Sequence, residues 1–390
     1  MPWKETDVRS QRIGFVVQAL IPGRNMSRLC REFGISRKTG YKWLRRHAQV
    51  GDLAELVEHS RRPHHSPHQT VEAVEGRVVG LRLEHGWGGR KISRVLRDQG
   101  IRVARSTADR ILRRQGLIEP HERHRPATQR FERCEPNELV QMDFKGQYRL
   151  ADGRMCYPLS MLDDHSRYAL GVFALSSQHG KKVQGHLIQC FEHYGVPEGM
   201  LMDHGNPWWG TTNGHGLTRL SVFLIKQGID LHHGRIRHPQ TQGKVERFQQ
   251  TLGQALAHRG LPTTLAGFQV AFDTFRTTYN EVRPHESLGD EVPASRYQPS
   301  LRVYQPVPAE WEYPPGSQVH RIADNGCLSL QGKYTFVCHA LVGERVRCQR
   351  FEDKILVTYR HMHVREIDLT TGRTTAVVRP EGQKKVSPMS

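Results

Sequence analysis

The stretch His238-Pro-Gln-Thr-Gln-Gly-Lys-Val-Glu-Arg-Phe248 places Glu246 at the start of a segment with helical periodicity. Apolar residues recur there at Val245, Phe248, Leu252 and Leu256. Two aspartates upstream each follow apolar residues, as expected for a carboxylate at the end of a buried strand. They are Asp143 in Gln141-Met-Asp-Phe144 and Asp203 in Leu201-Met-Asp-His-Gly-Asn206.

Three carboxylates brought together from two strands and a helix can hold divalent metal ions. Mg²⁺ prefers oxygen ligands, usually one or two carboxylates together with water and substrate phosphates. Two such ions roughly 4 Å apart can activate one oxygen and stabilise another during in-line phosphoryl displacement. The carboxylates Asp143, Asp203 and Glu246 therefore predict a metal-dependent reaction on a polynucleotide.

The charge of the chain indicates the same partner. There are 57 Lys and Arg residues against 39 Asp and Glu, a formal charge of +18, and the sequence pI is about 9.9. Residues 1–134 alone contain 28 basic and 14 acidic residues. A domain of this kind is typical of nucleic-acid binding. No apolar run approaches the roughly 20 residues that span a bilayer, and no secretory signal is evident. We expect a soluble, intracellular protein with no membrane partner.

Length and cysteine content limit the architecture further. A chain of 390 residues predicts two or three domains. Its seven cysteines are scattered and contain no Cys-x-x-Cys pair, which argues against a disulfide framework or a structural zinc site. The histidines His64, His65 and His68 have no second ligand pair at zinc spacing. They are interpreted as part of a solvated linker.

The first third of the chain repeats one plan. In residues 1–60, helices are predicted near 11–20, 25–33 and 37–47, with a turn at Gly34 and an N-cap at Ser36. In residues 71–118, the helices are predicted at 71–84, 88–98 and 105–115. A short helix, a glycine-containing turn and a basic second helix predict a helix-turn-helix in each. The alternative is a pair of ordinary helical bundles with solvated basic faces. Residues 61–70 and 119–136 are interpreted as linkers.

The two second helices supply most of the candidate DNA-binding residues. The repetition of the plan, in so basic a region, favours DNA binding over the alternative. The candidates are Arg37, Lys38, Lys42, Arg45, Arg46, Arg105, Arg110, Arg113 and Arg114.

The middle of the chain predicts an α/β layer. Strands are expected at 139–144, 149–150, 154–163, 168–175, 199–202 and 229–232, with a hairpin turn at Asp152-Gly153. Helices are expected at 181–194, 221–227 and 243–258. A meander followed by alternating helix and strand predicts a mixed sheet.

The C-terminal part predicts a small all-β domain. Residues 298–317 are proline-rich and are interpreted as a connector. Short strands separated by turn signals predict a small barrel over 318–375, followed by a tail over 376–390. The expected strands are 318–323, 327–330, 335–338, 345–349, 354–359 and 363–369.

Residues 137–297 resemble the catalytic core shared by retroviral integrases and bacterial insertion-sequence transposases, the Asp-Asp-Glu (DDE) group. The paired helix-turn-helix units resemble the insertion-sequence branch, because retroviral integrases carry a zinc-binding domain that this chain lacks. Besides the opening stretches, the matching motifs are Leu162-Asp-Asp-His-Ser-Arg-Tyr168 and Tyr279-Asn-Glu-Val-Arg-Pro-His-Glu-Ser-Leu-Gly289.

The resemblance implies a multidomain fold. Its parts are all-α helix-turn-helix N-terminal domains, an α/β RNase-H-like catalytic core with a mixed sheet over 137–297, and a small C-terminal SH3-like β-barrel. Asp143 and Asp203 are expected to hold the metals jointly, with Glu246 completing the second site. Two Mg²⁺ ions per active site are implied, with Mn²⁺ able to substitute.

The resemblance also implies a DNA transposase. Such an enzyme binds the terminal inverted repeats of its element, cleaves the ends to free 3′-OH groups and joins these to target DNA. Its partners are double-stranded DNA and further copies of the chain, as a dimer or larger assembly, in the bacterial cytoplasm with the nucleoid. Cations beside Glu246 are candidate phosphate ligands, with a solvated basic face as the alternative. They are Arg235, Arg237, Lys244 and Arg247.

Two features depart from a simple match. Asp203 and Glu246 lie 43 positions apart, which is longer than the usual second gap of the family. The extra length is assigned to Trp208–Thr218 as a surface insertion, which costs little loop entropy. Asp163 and its neighbour Asp164 belong to a family motif, and Asp163 is interpreted as structural.

Two other functions compete with the transposase. One is a DNA-binding regulator with an inactive core, against which the intact carboxylate triad argues. The other is a nuclease of the same fold that cuts without joining.

Overall fold

A computed structural model describes residues 7–53, 56–57, 70–118, 132–210, 216–234, 243–330 and 332–381. The chain divides into two compact units, Met1–Thr70 and Val71–Ser390. The histidine-containing linker at 61–69, the linker residues 119–131 and the last residues from 382 lie outside the described part.

The first unit is a three-helix bundle, as predicted. Its helices are α1 (Val8–Ala19), α2 (Met26–Glu32) and α3 (Arg37–Val50). The side chains of Asn25 and Ser36 accept hydrogen bonds from the first turns of α2 and α3, so both helices begin at polar caps. Trp43 and other apolar residues of the three helices form the core, which is completed by Phe15, Val16, Leu29 and Cys30.

The second unit begins with another three-helix bundle, made of α4 (Glu72–His85), α5 (Gly89–Asp98) and α6 (Arg105–Arg114). Its core is separate from those that follow and contains Trp87, Ile92, Leu96, Ile111 and Leu112. The sequence prediction of two trihelical units is therefore confirmed at the level of their helices.

A mixed six-stranded sheet forms the centre of the second unit. Strands β2 and β4 both pair with β3, and β1, β5 and β8 then follow in that order. The β1–β3 and β3–β4 pairs are antiparallel, whereas β1–β5 and β5–β8 are parallel. A separate two-stranded ribbon pairs β6 with β7. The strands are β1 (Val140–Phe144), β2 (Tyr148–Arg149), β3 (Met155–Asp163), β4 (Ala169–Leu175), β5 (Gly199–Met202), β6 (Trp209–Gly210), β7 (Gly216–Leu217) and β8 (Asp230–His233).

Helices cover both faces of this sheet. On one face α7 (Gly180–Tyr194) and α8 (Arg219–Lys226) pack against residues that include Val140 and Met142. On the other, α9 (Gly243–Arg259) and α10 (Leu265–Thr277) pack against residues that include Leu162. Because side chains alternate along a strand, Gln141 and Asp143 lie on the α9 face.

The segment predicted as a surface insertion is partly buried. Trp208 is 2% exposed, and its ring stacks on Phe144 at the end of β1, 5.6 Å between centroids. Leu217 is also buried. The prediction was therefore wrong for the two ends of the segment, because their large apolar side chains join the core. Residues 211–215 lie outside the described part.

The connector over 298–317 lies against the core. The guanidinium of Arg302 donates to the carbonyl oxygens of Pro197, Gln227 and Gly228 at 2.6–2.9 Å. Short helical turns precede this connector: a π-helical turn and two 3₁₀ turns, Thr278–Val282, Glu286–Leu288 and Pro293–Ser295.

The C-terminal strands form an open antiparallel sheet in the order β15-β14-β13-β12-β9, with β10 and β11 as a separate hairpin. The predicted SH3-like barrel is not confirmed, since the described strands do not close. A 3₁₀ turn, His339–Leu341, precedes β12. The strands are β9 (Gln318–Arg321), β10 (Cys327–Leu330), β11 (Lys333–Phe336), β12 (Arg345–Phe351), β13 (Lys354–Tyr359), β14 (Met362–Asp368) and β15 (Thr374–Pro380).

Strand β15 lies largely in the range predicted as a tail, so that prediction was wrong. The turn that precedes it has Gly372 in the left-handed region, and the side chain of Asp368 accepts backbone hydrogen bonds from Thr370 and Thr371. The sequence analysis missed the strand because its first residues are polar and only the pairing with β14 orders them.

Candidate active site

Two neighbouring parallel strands bring Asp143 and Asp203 to one end of the sheet. The register pairs Val140 with Met200 and Gln141 with Leu201. Continuing the same register places Asp143 opposite Asp203, which directly follows β5. Their side chains lie on the face covered by α9, since alternation fixes the face for both strands.

Glu246 lies in the first turn of α9, between two hydrogen bonds that hold the helix on β1. The backbone amide of Val245 donates to Oε1 of Gln141 at 3.2 Å. One turn later, Nε2 of Gln249 donates to Oδ2 of Asp143, also at 3.2 Å. These two contacts place Glu246 beside the aspartates, although the three residues are far apart in the sequence.

The charges of Asp203 and Glu246 both act on Asp143. Burial raises the pKa of Asp143, the charge of Asp203 raises it next, and Glu246 adds a smaller increase, to about 6. The hydrogen bond from Gln249 opposes this rise. The ionisation of a partly buried carboxylate near two like charges is unfavourable in free energy, and a bound cation would offset that cost.

The donor set fits a divalent cation. Among the described residues, no Lys, Arg or His forms an ion pair with Asp143, Asp203 or Glu246. Oxygen ligands without competing internal cations are what Mg²⁺ and Mn²⁺ bind. In the described part of the chain, no three His, Cys, Asp or Glu side chains are already gathered closely enough to hold a metal ion. Metal binding at this site therefore requires the three carboxylates to move closer together.

The cleft around these carboxylates is open. Asp203 is exposed, and Asp143 and Glu246 are partly exposed. A cavity of about 430 Å³ lies elsewhere, between the connector and the C-terminal sheet, where Trp311 and Tyr313 line it. An open site accommodates a long polymer better than an enclosed pocket does.

Asp203 is held by its own turn and by a cluster of rings. Its Oδ1 accepts a hydrogen bond from the amide of Gly205 at 2.9 Å, and its carbonyl oxygen lies 3.0 Å from Nδ1 of His233. The rings of His204, Trp209 and His233 lie 4.8–5.1 Å apart. Burial lowers the pKa of His233 to about 4, so this ring is neutral at physiological pH.

Asp163 is structural in its contacts. Its carboxylate is fully buried and accepts from the amides of Asn137 and Ser166 and from the Ser166 hydroxyl, at 2.6–2.8 Å. Burial raises its pKa, and these donors oppose the rise. Because its oxygens already accept these three hydrogen bonds, Asp163 has little capacity left to bind a metal ion.

Asp164 is also fully buried, but it forms an ion pair. Nζ of Lys244 lies 2.6 Å from its Oδ2, while Nε2 of Gln141 and the amide of Arg133 donate to the same carboxylate at 2.7–2.8 Å. Lys244 was expected among the DNA-binding residues. The structure instead engages it with Asp164, which lies beside the start of α9.

Most of the other predicted basic residues are on surfaces. In the first unit, Arg46 is the exception: it donates to the Val57 carbonyl at 2.8 Å and lies over the Trp43 ring. Arg235 and Arg237 lie outside the described residues. The exposed candidates are Arg37, Lys38, Lys42, Arg45, Arg105, Arg110, Arg113, Arg114 and Arg247.

Two of the exposed candidates in the second unit have acidic partners. Arg114 is paired with Glu75, and Nε of Arg105 lies 3.6 Å from Asp109. Such surface pairs contribute little to stability and can open for a phosphate.

The sequence analysis missed Gln141, Gln249 and the ring of His233. The spacing of Gln249, three residues after Glu246, puts both on one face of a helix and was a usable signal. Nothing local indicated that Gln141 bonds to α9, because that contact joins residues about a hundred positions apart.

No described helix is both long and apolar enough to cross a membrane.

Comparisons with known proteins agree with this architecture. Two profiles described as integrase core domains match residues 133–239 and 227–293, and a homeodomain-like domain matches residues 39–112. The chain is 25% identical over 287 residues to the insertion element IS407 uncharacterized 31.7 kDa protein of Burkholderia multivorans (strain ATCC 17616 / 249). The match covers 73% of this chain and 94% of that protein.

Solved structures show a weaker likeness. The catalytic core domain of HTLV-2 integrase in complex with magnesium, in its dimeric form, is 15% identical with a TM-score of 0.32, covering 42% of this chain and 97% of that one. The simian T-cell lymphotropic virus intasome in complex with the PP2A regulatory subunit B56 gamma is 15% identical with a TM-score of 0.38, covering 80% and 100%. At these scores nothing further rests on either structure.

Proposed function

We propose that this chain is an insertion-sequence transposase with an integrase core, which cleaves DNA at the ends of a mobile element and joins the freed 3′-OH groups to target DNA. The observation that carries the proposal is the position of Asp143 and Asp203 on neighbouring strands at one end of the sheet, with Glu246 in the first turn of the helix that contacts Asp143 through Gln249. A protein that only binds DNA gains nothing from like charges that repel each other there.

The roles of the three carboxylates follow from their positions. Asp143 and Asp203, opposite each other on neighbouring strands, would hold a pair of divalent cations, Mg²⁺ or Mn²⁺, and Glu246 would complete the second position. Bound there, two such cations would activate the attacking oxygen and neutralise charge on the scissile phosphate. Gln249 would orient Asp143, because its amide fixes one carboxylate oxygen.

The helical units would hold the DNA. Both trihelical bundles present basic helices, α3 and α6, of the kind that enters a major groove. We infer that these helices bind the terminal inverted repeats of the element. Because two element ends must be joined together, we infer a dimer or larger assembly on double-stranded DNA.

A strand-transfer assay tests this function. Purified full-length protein is incubated with Mg²⁺, or Mn²⁺ in a parallel arm, and a duplex that carries the native end of the element. The Glu246→Gln variant is compared with wild type. Glu192→Gln, an exposed acid on α7 outside the site, is the matched control.

The products separate the competing functions. Joined products from wild type and from Glu192→Gln, but not from Glu246→Gln, support a transposase. Cleavage without joining favours the nuclease. Specific binding with no cleavage by any variant in either metal contradicts the enzyme and favours a DNA-binding regulator.

A further inference from the structure

The second trihelical unit is fixed to the catalytic core by ion pairs. The guanidinium of Arg90 on α5 contacts Glu286 at 2.6 Å and Asp290 at 2.8 Å. One turn later, Arg94 lies 3.7 Å from Glu291. These contacts hold the first turns of α5 beside the segment that follows the π-helical turn.

A second contact joins the same unit to the far end of α9. Nε2 of His258 lies 2.7 Å from the carbonyl oxygen of Leu83 in α4. Gly86 lies close to the same imidazole ring: a Cβ atom added to Gly86 would lie 3.6 Å from it. The trihelical unit therefore packs on the helix that carries Glu246.

Lys91, the residue after Arg90, lies among cations. Burial, together with the charges of Arg283, Arg247 and Arg90, lowers the pKa of Lys91 to about 8, against a smaller opposing effect of Glu286. In the described part of the chain, Lys91 has no hydrogen bond or ion pair of its own. Glu286, the acid whose charge acts on Lys91, is already engaged by Arg90.

Arg283 is held in a fixed orientation. Its Nη1 lies 3.1 Å from Nε2 of His285, and its guanidinium lies 5.5 Å from the centre of the Tyr279 ring. Burial, with the charges of Arg283 and Lys91, lowers the pKa of His285 to about 3. The imidazole is therefore neutral, and Nε2 accepts a hydrogen bond from Arg283. In the described part of the chain, the other guanidinium nitrogens of Arg283 have no hydrogen-bond partner, so they retain the capacity to donate to an anion.

We propose that Lys91, Arg247 and Arg283 form one binding site for a DNA backbone phosphate, shared between the second trihelical unit and the catalytic core. Arg247 follows Glu246 directly on α9, so a phosphate held here lies next to the candidate active site. The site would guide a strand bound by the trihelical unit towards the carboxylates. The choice of DNA as the ligand rests on the proposed function.

Three cations from three parts of the chain have a physical reason to bind a phosphate. The three charges repel one another, Lys91 and Arg283 in partly buried positions, and one anion compensates all of them. An arginine offers a planar fork for two phosphate oxygens, and a lysine supplies a point charge. An acidic protein segment is the competing ligand, and the experiment below distinguishes it.

The test is a salt titration of DNA binding in EDTA, where no cleavage occurs. Wild type is compared with Lys91→Gln, with the charge-preserving Lys91→Arg and with the control Lys181→Gln, an exposed lysine at the start of α7. We expect Lys91→Gln to bind about three- to tenfold more weakly near 0.1 M salt. Its slope of log affinity against log salt should be shallower by about 0.9, the loss of one phosphate contact. Lys91→Arg and Lys181→Gln should resemble wild type.

Two further readouts exclude a merely structural effect. Thermal unfolding of Lys91→Gln should occur at the same or a higher temperature, because the substitution removes charge repulsion. Raising the pH from 7 to 9 should weaken DNA binding by wild type but not by Lys91→Arg, since a bound phosphate favours the protonated lysine. The groups that face Lys91 in this comparison are Arg90, Arg247, Arg283, His285 and Glu286.

An unchanged slope for Lys91→Gln, or an equal loss for Lys181→Gln, overturns the phosphate site. If wild type still cleaves and joins DNA in that case, only this inference fails. Absence of salt-dependent DNA binding by wild type contradicts the site together with the proposed function. If poly-glutamate fails to displace bound DNA, an acidic protein segment is excluded as the ligand of this site.

Discussion

The two ends of the β1–β3 ladder carry carboxylates in opposite states. At one end Asp163 and Asp164 are fully buried and saturated, Asp163 by three hydrogen-bond donors and Asp164 by Lys244, Gln141 and a backbone amide. At the other end Asp143 is partly exposed and has one side-chain donor, Gln249, at 3.2 Å. Both ends belong to the same pair of strands, with Val140 opposite Asp163 and Asp143 opposite Ser160.

The difference separates a structural carboxylate from a functional one. Donors and a partner cation cancel the cost of burying Asp164 within the protein. At Asp143 the protein does not compensate the free-energy cost of burying the ionised carboxylate, and the charges of Asp203 and Glu246 increase that cost. A bound cation could offset it. A carboxylate is therefore assigned a role by what surrounds it, and the following experiments test that assignment.

The largest expected effect is on catalysis. Asp143→Asn should reduce DNA cleavage in Mg²⁺ by at least about 1000-fold, because an amide cannot replace a charged ligand of both cations. Binding of end-bearing DNA in EDTA should be unchanged. A gel-based cleavage assay and a binding titration measure the two quantities. Cleavage within tenfold of wild type would show that Asp143 is not at the reaction centre.

Substitution of Asp164, at the other end of the β1–β3 ladder, should affect the stability of the fold rather than catalysis. Asp164→Asn should lower the free energy of unfolding by about 3–5 kcal/mol, because it removes the buried carboxylate that compensates the charge of Lys244. Chemical denaturation measures this. The double variant Asp164→Asn/Lys244→Met should recover much of the loss. A single-variant change below about 0.5 kcal/mol contradicts the structural role.

The ionised carboxylate of Asp143, in the candidate active site, should oppose folding at neutral pH. The pKa of Asp143 is about 6 in the folded protein and near 3.8 when unfolded, so the folded state gains a favourable proton as pH falls through this range. Asp143→Asn should therefore raise the free energy of unfolding by about 1–3 kcal/mol above pH 6. The gain should disappear below pH 4. Denaturation without metal at pH 4, 5, 6 and 8 checks the sign, and a gain that grows at low pH contradicts it.

The smallest expected effect is at Gln249. Gln249→Leu removes the donor that holds Oδ2 of Asp143, so the pKa of Asp143 should rise further. Mn²⁺ affinity, measured by calorimetry, should fall about tenfold, as is usual for a residue that orients a metal ligand. The acid limb of the cleavage profile should move to higher pH. Gln250→Leu, the next residue on α9, is the matched control and should leave both quantities unchanged.

Much of the fold was predictable from the sequence. The strand over 199–202 and the helix over 243–258 were located within a residue, because the first is a short apolar run that leads into Asp203 and the second has a clear helical periodicity. The strand β15 and the burial of Trp208 were not predicted. In both cases an ambiguous local pattern takes its structure from distant partners, β14 for the strand and Phe144 for the ring.

The candidate site divides in the same way. Local sequence singled out Asp143, Asp203 and Glu246 as candidates, since a carboxylate that ends an apolar strand or opens an amphipathic helix is visible in a few residues. It also indicated the basic character of the helical units. Tertiary structure alone decided that Lys244 pairs with Asp164, that Gln141 and Gln249 hold α9 on β1, and that Lys91 joins a group of cations. These contacts connect residues that are far apart in the chain, and their energies depend on burial and on nearby charges, which exist only when the sheet and its helices have assembled.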